Sequence, residues 1–182
     1  MLAERSVHQP SLRDSYAFCR RLARGRNENF TVASWLLPRA LRRHMYAIYA
    51  YCRGVDDLGD EAEGDRPALL DEWERELQAC YDGNPSDPRF IALQRTIQRF
   101  GIPPDPFQRL IEANRRDQVV QRYATFDALR EYCSYSANPV GELVLHVFGY
   151  QDERRRRLSG ATCTALQLAN FWQDTWRDFR KG

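Results

Sequence analysis

A chain of 182 residues with 43% hydrophobic and 12% aromatic residues can build one full-sized core, which excludes a disordered polymer. Lys and Arg number 27 against 25 Asp and Glu, a net charge of +2 that provides no general field for nucleic acid, so any anion site must be local. No run of about 18 apolar residues is present, and "MLAERSVHQP" lacks the apolar stretch of a signal peptide. Five widely spaced cysteines without a C-x-x-C pair argue against a disulfide framework or zinc site. They fit a reducing cytoplasm, with peripheral attachment at the inner membrane as the alternative.

Apolar spacing is helical almost throughout, which predicts an all-α chain forming a single domain over residues 1–182. A first helix is expected from about Ser11 to Arg24, ending at Gly25. After "RNENFTVASWLL", Pro38 opens "PRALRRHMYAIYAYCRGVDDLGDE", with Leu41, Met45, Ile48, Cys52 and Val55 as its apolar stripe. "RPALLDEWERELQACYDG" closes at Gly83, and "NPSDP" is a turn cluster. "RFIALQRTIQRFG", "DPFQRLIEANRRDQVVQRY" and "TFDALREYCSYSANPVGELVLHVFGY" follow, the last kinked or broken by Pro139. A final helix is expected after Ser159 and Gly160, through "ATCTALQLANFWQDTWRDF". This pattern describes a bundle of about seven helices.

Two Asp-x-x-x-Asp pairs stand out, Asp56/Asp60 in "VDDLGD" and Asp174/Asp178 in "QDTWRD". Residues four apart share a helix face with Cβ atoms about 5–6 Å apart, so each pair costs a helix like-charge repulsion. Tyr49, Arg53, Asp56 and Asp60 share one face; Gln167, Asn170, Asp174 and Asp178 share another. Facing each other, these stripes would gather four negative charges that repel unless cations enter. Carboxylate and amide oxygens are hard ligands, suited to Mg²⁺ or Mn²⁺, and Mg²⁺ completes its shell with phosphate oxygens. The implied substrate is a phosphate ester.

Four segments, "ENFTVASWLLP" (28–38), "YAIYAYCRGVDDLGDE" (46–61), "YCSYSANPVGELVL" (132–145) and "ALQLANFWQDTWRDF" (165–179), resemble the squalene and phytoene synthase family of head-to-head isoprenoid synthases. Within it, "ENF" and "SANPVG" look most like the hydroxysqualene synthases of bacterial hopanoid synthesis. The resemblance implies an isoprenoid-synthase bundle around a central cavity. It also implies an incomplete domain, because relatives continue with further helices after the second aspartate motif. An isolated 182-residue chain is therefore expected to self-associate, with Leu166, Leu168, Phe171 and Trp172 short of cover, and to be nearly inactive.

The same resemblance places Asp56, Asp60, Asn170, Asp174 and Asp178 around Mg²⁺ and a diphosphate. Arg53 and the Asn29-Phe30 region, with Tyr49 beside them, match substrate positions. Tyr132 and Gln167 match the reaction cavity, and Asp117 and Arg122 are weaker candidates. The implied reaction is ionisation of presqualene diphosphate and capture of the cation by water, without NADPH. Two rivals remain: a sibling enzyme condensing farnesyl or other prenyl diphosphates, such as presqualene diphosphate, squalene or phytoene synthase; and, outside catalysis, a helical remnant that only binds partners. Other hopanoid-pathway enzymes are candidate partners. His8, His44 and His146 are read as surface or satisfied core, Trp172 and Trp176 as core, and "ERRRR" (153–157) as a solvated segment or a lipid contact.

Overall fold

The computed structural model describes residues 9–25 and 37–179, with side chains described as far as Gln173. Asn29, Phe30 and His8 lie outside the described residues, as do the side chains of Asp174, Trp176 and Asp178. The described residues form eight helices and no strand: α1 (Leu12–Gly25), α2 (Arg39–Asp60), α3 (Arg66–Asp82), α4 (Pro88–Phe100), α5 (Asp105–Asp117), α6 (Phe126–Ser136), α7 (Asn138–Val147) and α8 (Glu153–Phe179). They belong to two compact units, one running to Tyr51 and including Arg75–Arg99, the other made of Cys52–Glu74 and the chain from Phe100.

In the first unit, α1 buries only Ser15, Cys19 and Ala23, at a spacing of four. These small side chains let it lie against Tyr46, Ala47 and Ala50 of α2 and Ala92 of α4. Tyr51 meets Phe90 edge-on, ring centroids 5.8 Å apart. His44 is buried, its Nδ1 3.0 Å from Thr96 Oγ1. Thr96 spends its hydroxyl proton on Ala92 O, so His44 donates through Nδ1 and accepts at Nε2 from Arg43 Nε. Burial, then Arg43, Arg99 and Arg95, lowers its pKa to about 4 and keeps it neutral. It is a satisfied core histidine, as read from the sequence. Gly83 and Gly101 adopt φ values of 102° and 60° just past α3 and α4, a conformation that ends a helix cheaply only at glycine.

In the second unit, α5 packs on α6 and α7, and α8 packs on α6 and α7. Phe107, Leu110, Ile111, Cys133, Leu143 and Val147 are buried there, each large one contributing about 1.5–3 kcal/mol. Of three boundaries, the first and third depart from the sequence expectation and the second meets it. First, α5 stops at Asp117 rather than reaching Tyr123, because the Gln118 side chain turns back to donate to Asn114 O and Gly59 O and exposed β-branched Val119 and Val120 follow. Second, Pro139 breaks the sixth helix as the sequence predicts, sitting in the first turn of α7 with Ala137 at the break. Third, α8 starts at Glu153, before Ser159 and Gly160. Asp152 Oδ1 accepts from Arg155 N as a cap, and the small residues lie inside the helix where it approaches α7. A Cβ on Gly141 would fall 2.3 Å from Ser159 Oγ and 2.7 Å from Cys163 Sγ.

Other expectations divide. All five cysteines are free. "ERRRR" pairs locally through Arg155 with Asp152 and Arg156 with Glu153. Trp172 is not core: it is 75% exposed, and Leu166 is 61% exposed, because no described residue covers that side of α8. No helix among the described residues is long and apolar enough to cross a membrane.

Candidate active site

Within the second unit, Asp56, Asp60, Leu110, Ala113, Asn114, Asp117, Tyr132, Ser136 and Gln167 line a polar cavity of about 210 Å³. The Cys52–Asp60 end of α2 brings the acidic pair, α5 presents Leu110, Ala113, Asn114 and Asp117 at helical spacing, α6 brings Tyr132 and Ser136, and α8 brings Gln167. Asn114 is buried; its Nδ2 donates to Leu110 O at 3.0 Å and to Asp56 Oδ1 at 3.4 Å. Tyr132 OH donates to Asp117 Oδ2 at 2.7 Å. The Tyr132 ring lies 5.1 Å from that of Tyr123 and 6.4 Å from that of Phe171, forming an aromatic wall beside the carboxylates.

The electrostatics follow from desolvation. Burial raises the Asp56 pKa from 3.8 to about 6; the Asn114 bond opposes the shift and Asp60 adds to it. Burial also raises Asp60, against the pull of Arg53 and Arg66, and raises Asp117, against its Tyr132 bond. Burial and then the Asp117 bond drive the Tyr132 phenol up, so it stays a donor at any physiological pH. Three carboxylates held in their less comfortable charged form make a site that a cation would relieve.

The structure brings together Asp56, Asp60, Tyr132, Gln167 and the weaker candidate Asp117. Arg53 does not line the cavity; its guanidinium meets Asp57 at 2.7 Å and Glu61 at 3.0 Å. Tyr49 packs against the Cys19, Ala23 and Tyr46 cluster of the first unit. Asn170 and Arg122 are exposed and line no described cavity. Among the described residues no three His, Cys, Asp or Glu groups are placed to hold a metal by themselves. Sequence reasoning missed Asn114, although its position three residues before Asp117 on an otherwise apolar face was a signal. A larger groove of about 890 Å³ beside α8 holds groups that neutralise one another, among them Arg109 and Glu142 at 2.7 Å.

The Tyr132 to Asp117 bond carries a first expectation. Tyr132→Phe removes a charge-assisted bond at a part-exposed carboxylate, and the denaturant midpoint should fall by the equivalent of about 1 kcal/mol. An unchanged midpoint at unchanged slope would show that the bond contributes nothing to stability.

The cavity thus sets one acidic pair and Asp117 beside an aromatic wall on an all-α chain, and comparison with known proteins gives the family. The squalene/phytoene synthase family profile matches residues 23–182, and the chain belongs to that family. The 15-cis-phytoene synthase of Synechococcus elongatus is 33% identical across 94% of this chain and 60% of its own length. Phytoene synthase 1, chloroplastic, of Zea mays is 34% identical across 94% and 44%. Among solved structures, the squalene synthase HpnC of Alicyclobacillus acidocaldarius superposes with a TM-score of 0.90 at 56% identity, covering 94% of this chain and 65% of that one. A dehydrosqualene synthase in complex with ligand superposes at 0.83 with 29% identity. The fold is thus the all-α isoprenoid-synthase fold expected from the sequence. The chain spans 65% or less of each of these relatives.

Proposed function

We propose that the protein supplies the acidic half-site of a hydroxysqualene synthase, which ionises presqualene diphosphate and captures the rearranged cation with water. The observation that carries this reading is the cavity in which Asp56, Asp60 and Asp117 meet Tyr132 and Gln167. The donor set is all oxygen, with no His or Cys in the lining, which fits Mg²⁺, or Mn²⁺ in its place. Asp56 and Asp60, joined by Asn170, Asp174 and Asp178 from α8 as the family resemblance implies, would hold Mg²⁺, which supplies Lewis acidity toward the leaving diphosphate. A cavity of about 210 Å³ suits a diphosphate head group rather than the hydrocarbon.

The chain's own groups do the remaining work. Asn114 positions Asp56, whose charge burial opposes first and Asp60 after it. Tyr132, held by Asp117 and flanked by Tyr123 and Phe171, turns an aromatic wall to the site that tolerates a nearby cation. In the overall reaction the carbon–oxygen bond to diphosphate breaks with its electron pair on the leaving group. A water oxygen forms the new bond, and its proton passes to solvent or to the released diphosphate. No oxidant or reductant enters this balance.

Hydroxysqualene as the product rests on the hopanoid-type "ENF" and "SANPVG" segments, while the 56% identity with the squalene synthase HpnC supports the squalene branch of the family. With presqualene diphosphate and Mg²⁺ in ¹⁸O water, mass spectrometry should find a labelled alcohol formed without NADPH. An unlabelled product would exclude water capture. The identity with phytoene synthases favours one second reading, condensation of two prenyl diphosphates. Turnover of farnesyl diphosphate supplied alone would select it.

A further inference from the structure

The first unit carries a charge feature that the carboxylate site does not use. Arg13, Arg20, Arg24, Arg39, Arg42 and Arg43 line a groove of about 470 Å³ between α1 and the start of α2, with Tyr16 and Tyr46 and no acidic residue. Elsewhere arginines meet carboxylates, as Arg53, Arg89, Arg109 and Arg115 do. Arg13, Arg20, Arg24 and Arg39 meet none among the described residues. The one acid on α1, Asp14, is occupied by Ser11 at the helix start. With Arg21, the set concentrates seven arginines in a chain whose net charge is only +2. Such crowding of like charge is held apart at a cost unless an anionic surface faces it.

The remaining solvent face of α1 is not polar. Beyond Arg21, whose guanidinium lies 5.8 Å over the Phe18 ring, come Phe18 and Leu22, the latter 40% exposed, around a shallow apolar depression. A soluble anion would use the arginines and leave Phe18 and Leu22 in water. A bilayer surface uses both, with phosphates at the guanidinium groups and apolar side chains at the acyl boundary. We infer that the α1 face and the start of α2 form a docking surface for anionic phospholipid membranes. This goes beyond the proposed reaction and does not depend on it.

The test is binding of the purified protein to sedimenting vesicles, read without turnover. Binding is expected to vesicles containing about one-third phosphatidylglycerol in phosphatidylcholine, to be weak on phosphatidylcholine alone, and to fall as salt rises. Each arginine removed should lower partitioning about fivefold, so Arg13→Ala/Arg20→Ala/Arg24→Ala together should lose on the order of 100-fold. The matching triple Lys variant keeps the charge and should keep most of the binding, which separates docking from misfolding. Arg154→Ala/Arg157→Ala, in the "ERRRR" segment, should bind as the parent does. Any of four results overturns the inference: no binding, equal binding to neutral vesicles, loss in the Arg154/Arg157 variant instead, or release by inorganic diphosphate at constant ionic strength. Tighter binding to RNA than to vesicles would also reject a membrane partner.

Discussion

Asp56→Asn is expected to lower Mg²⁺-dependent turnover by on the order of 1000-fold while leaving the metal-free fold as stable as before, or more so. The two halves of the expectation have one cause. Asp56 is the most strongly perturbed carboxylate of the cavity, its pKa raised from 3.8 to about 6 chiefly by burial and further by Asp60. Asn keeps the shape and one oxygen, and still meets Asn114, but it cannot bring the charge that holds a hard cation. In the absence of metal that charge is a burden. Below the unfolded pKa both states carry the proton and stability is highest. As pH rises toward 6 the native state must release a proton that it holds more tightly than the unfolded chain does, so stability falls. The shift corresponds to no more than about 3 kcal/mol, before screening at a partly open cavity reduces it. Urea unfolding with chelator at pH 4 and pH 7 should therefore show a smaller pH loss in Asp56→Asn than in the parent. Asp60 and Asp117 shift in the same direction, so part of the loss remains. Full Mg²⁺-dependent turnover by Asp56→Asn would remove this residue from the metal set.

Much of this site was legible because broken rules are visible in a sequence. Two aspartates four apart near a helix end oppose both their own repulsion and the helix dipole, and so drew notice without a structure. Tyr132 came from resemblance alone and Gln167 from helical spacing and resemblance together, and the cavity contains both. Arg53 illustrates the limit of helical phase. It shares a face with Asp56 on a helical wheel, yet Asp57 and Glu61 capture it, because a long side chain goes to the nearest carboxylates. Asn114 stayed hidden for another reason: its partners are 58 and 4 residues away, and only tertiary packing sets the first.

The helix boundaries follow the same division. Gly83 and the Pro139 break act locally and were read correctly. The start of α8 was not, because "SG" reads as a breaker in isolation. Against α7 the same small residues are what close packing requires, with Thr164 Oγ1 donating to Asn138 Oδ1 at 2.9 Å to fix the register. "SANPVG" therefore has a packing role of its own: Asn138 and Gly141 receive α8, and Pro139 turns α7 toward it.

Gly59, inside "DDLGD", raises the same question at the cavity. A glycine in a helix interior costs about 1 kcal/mol relative to alanine, so its place between Asp56 and Asp60 needs a reason. A Cβ built there would stand 2.0 Å from Asn114 Oδ1, 2.9 Å from its Cγ and 3.1 Å from its Cβ. Asn114 cannot simply swing away, because its amide nitrogen bonds Leu110 O and Asp56, and the Gln118 side chain bridges Gly59 O and Asn114 O. The missing methyl lets α5 close on α2, which brings Asn114 and Asp117 to the acidic pair. Gly59→Ala should therefore destabilise by about 1–3 kcal/mol despite its better helix propensity, the usual range for overpacking. Asn114→Ala should cost about 1–2 kcal/mol through the lost bonds. In Gly59→Ala/Asn114→Ala the clashes with Oδ1 and Cγ are gone and only the 3.1 Å approach to the Cβ of residue 114 remains, so the pair should cost at least ~1 kcal/mol less than the sum of the singles. Chemical denaturation of the four proteins measures that coupling, and additive costs would show that Asn114 is not what Gly59 makes room for. Turnover should separate from stability: the double variant recovers its fold but leaves Asp56 without its amide partner, so its activity should stay below that of the parent.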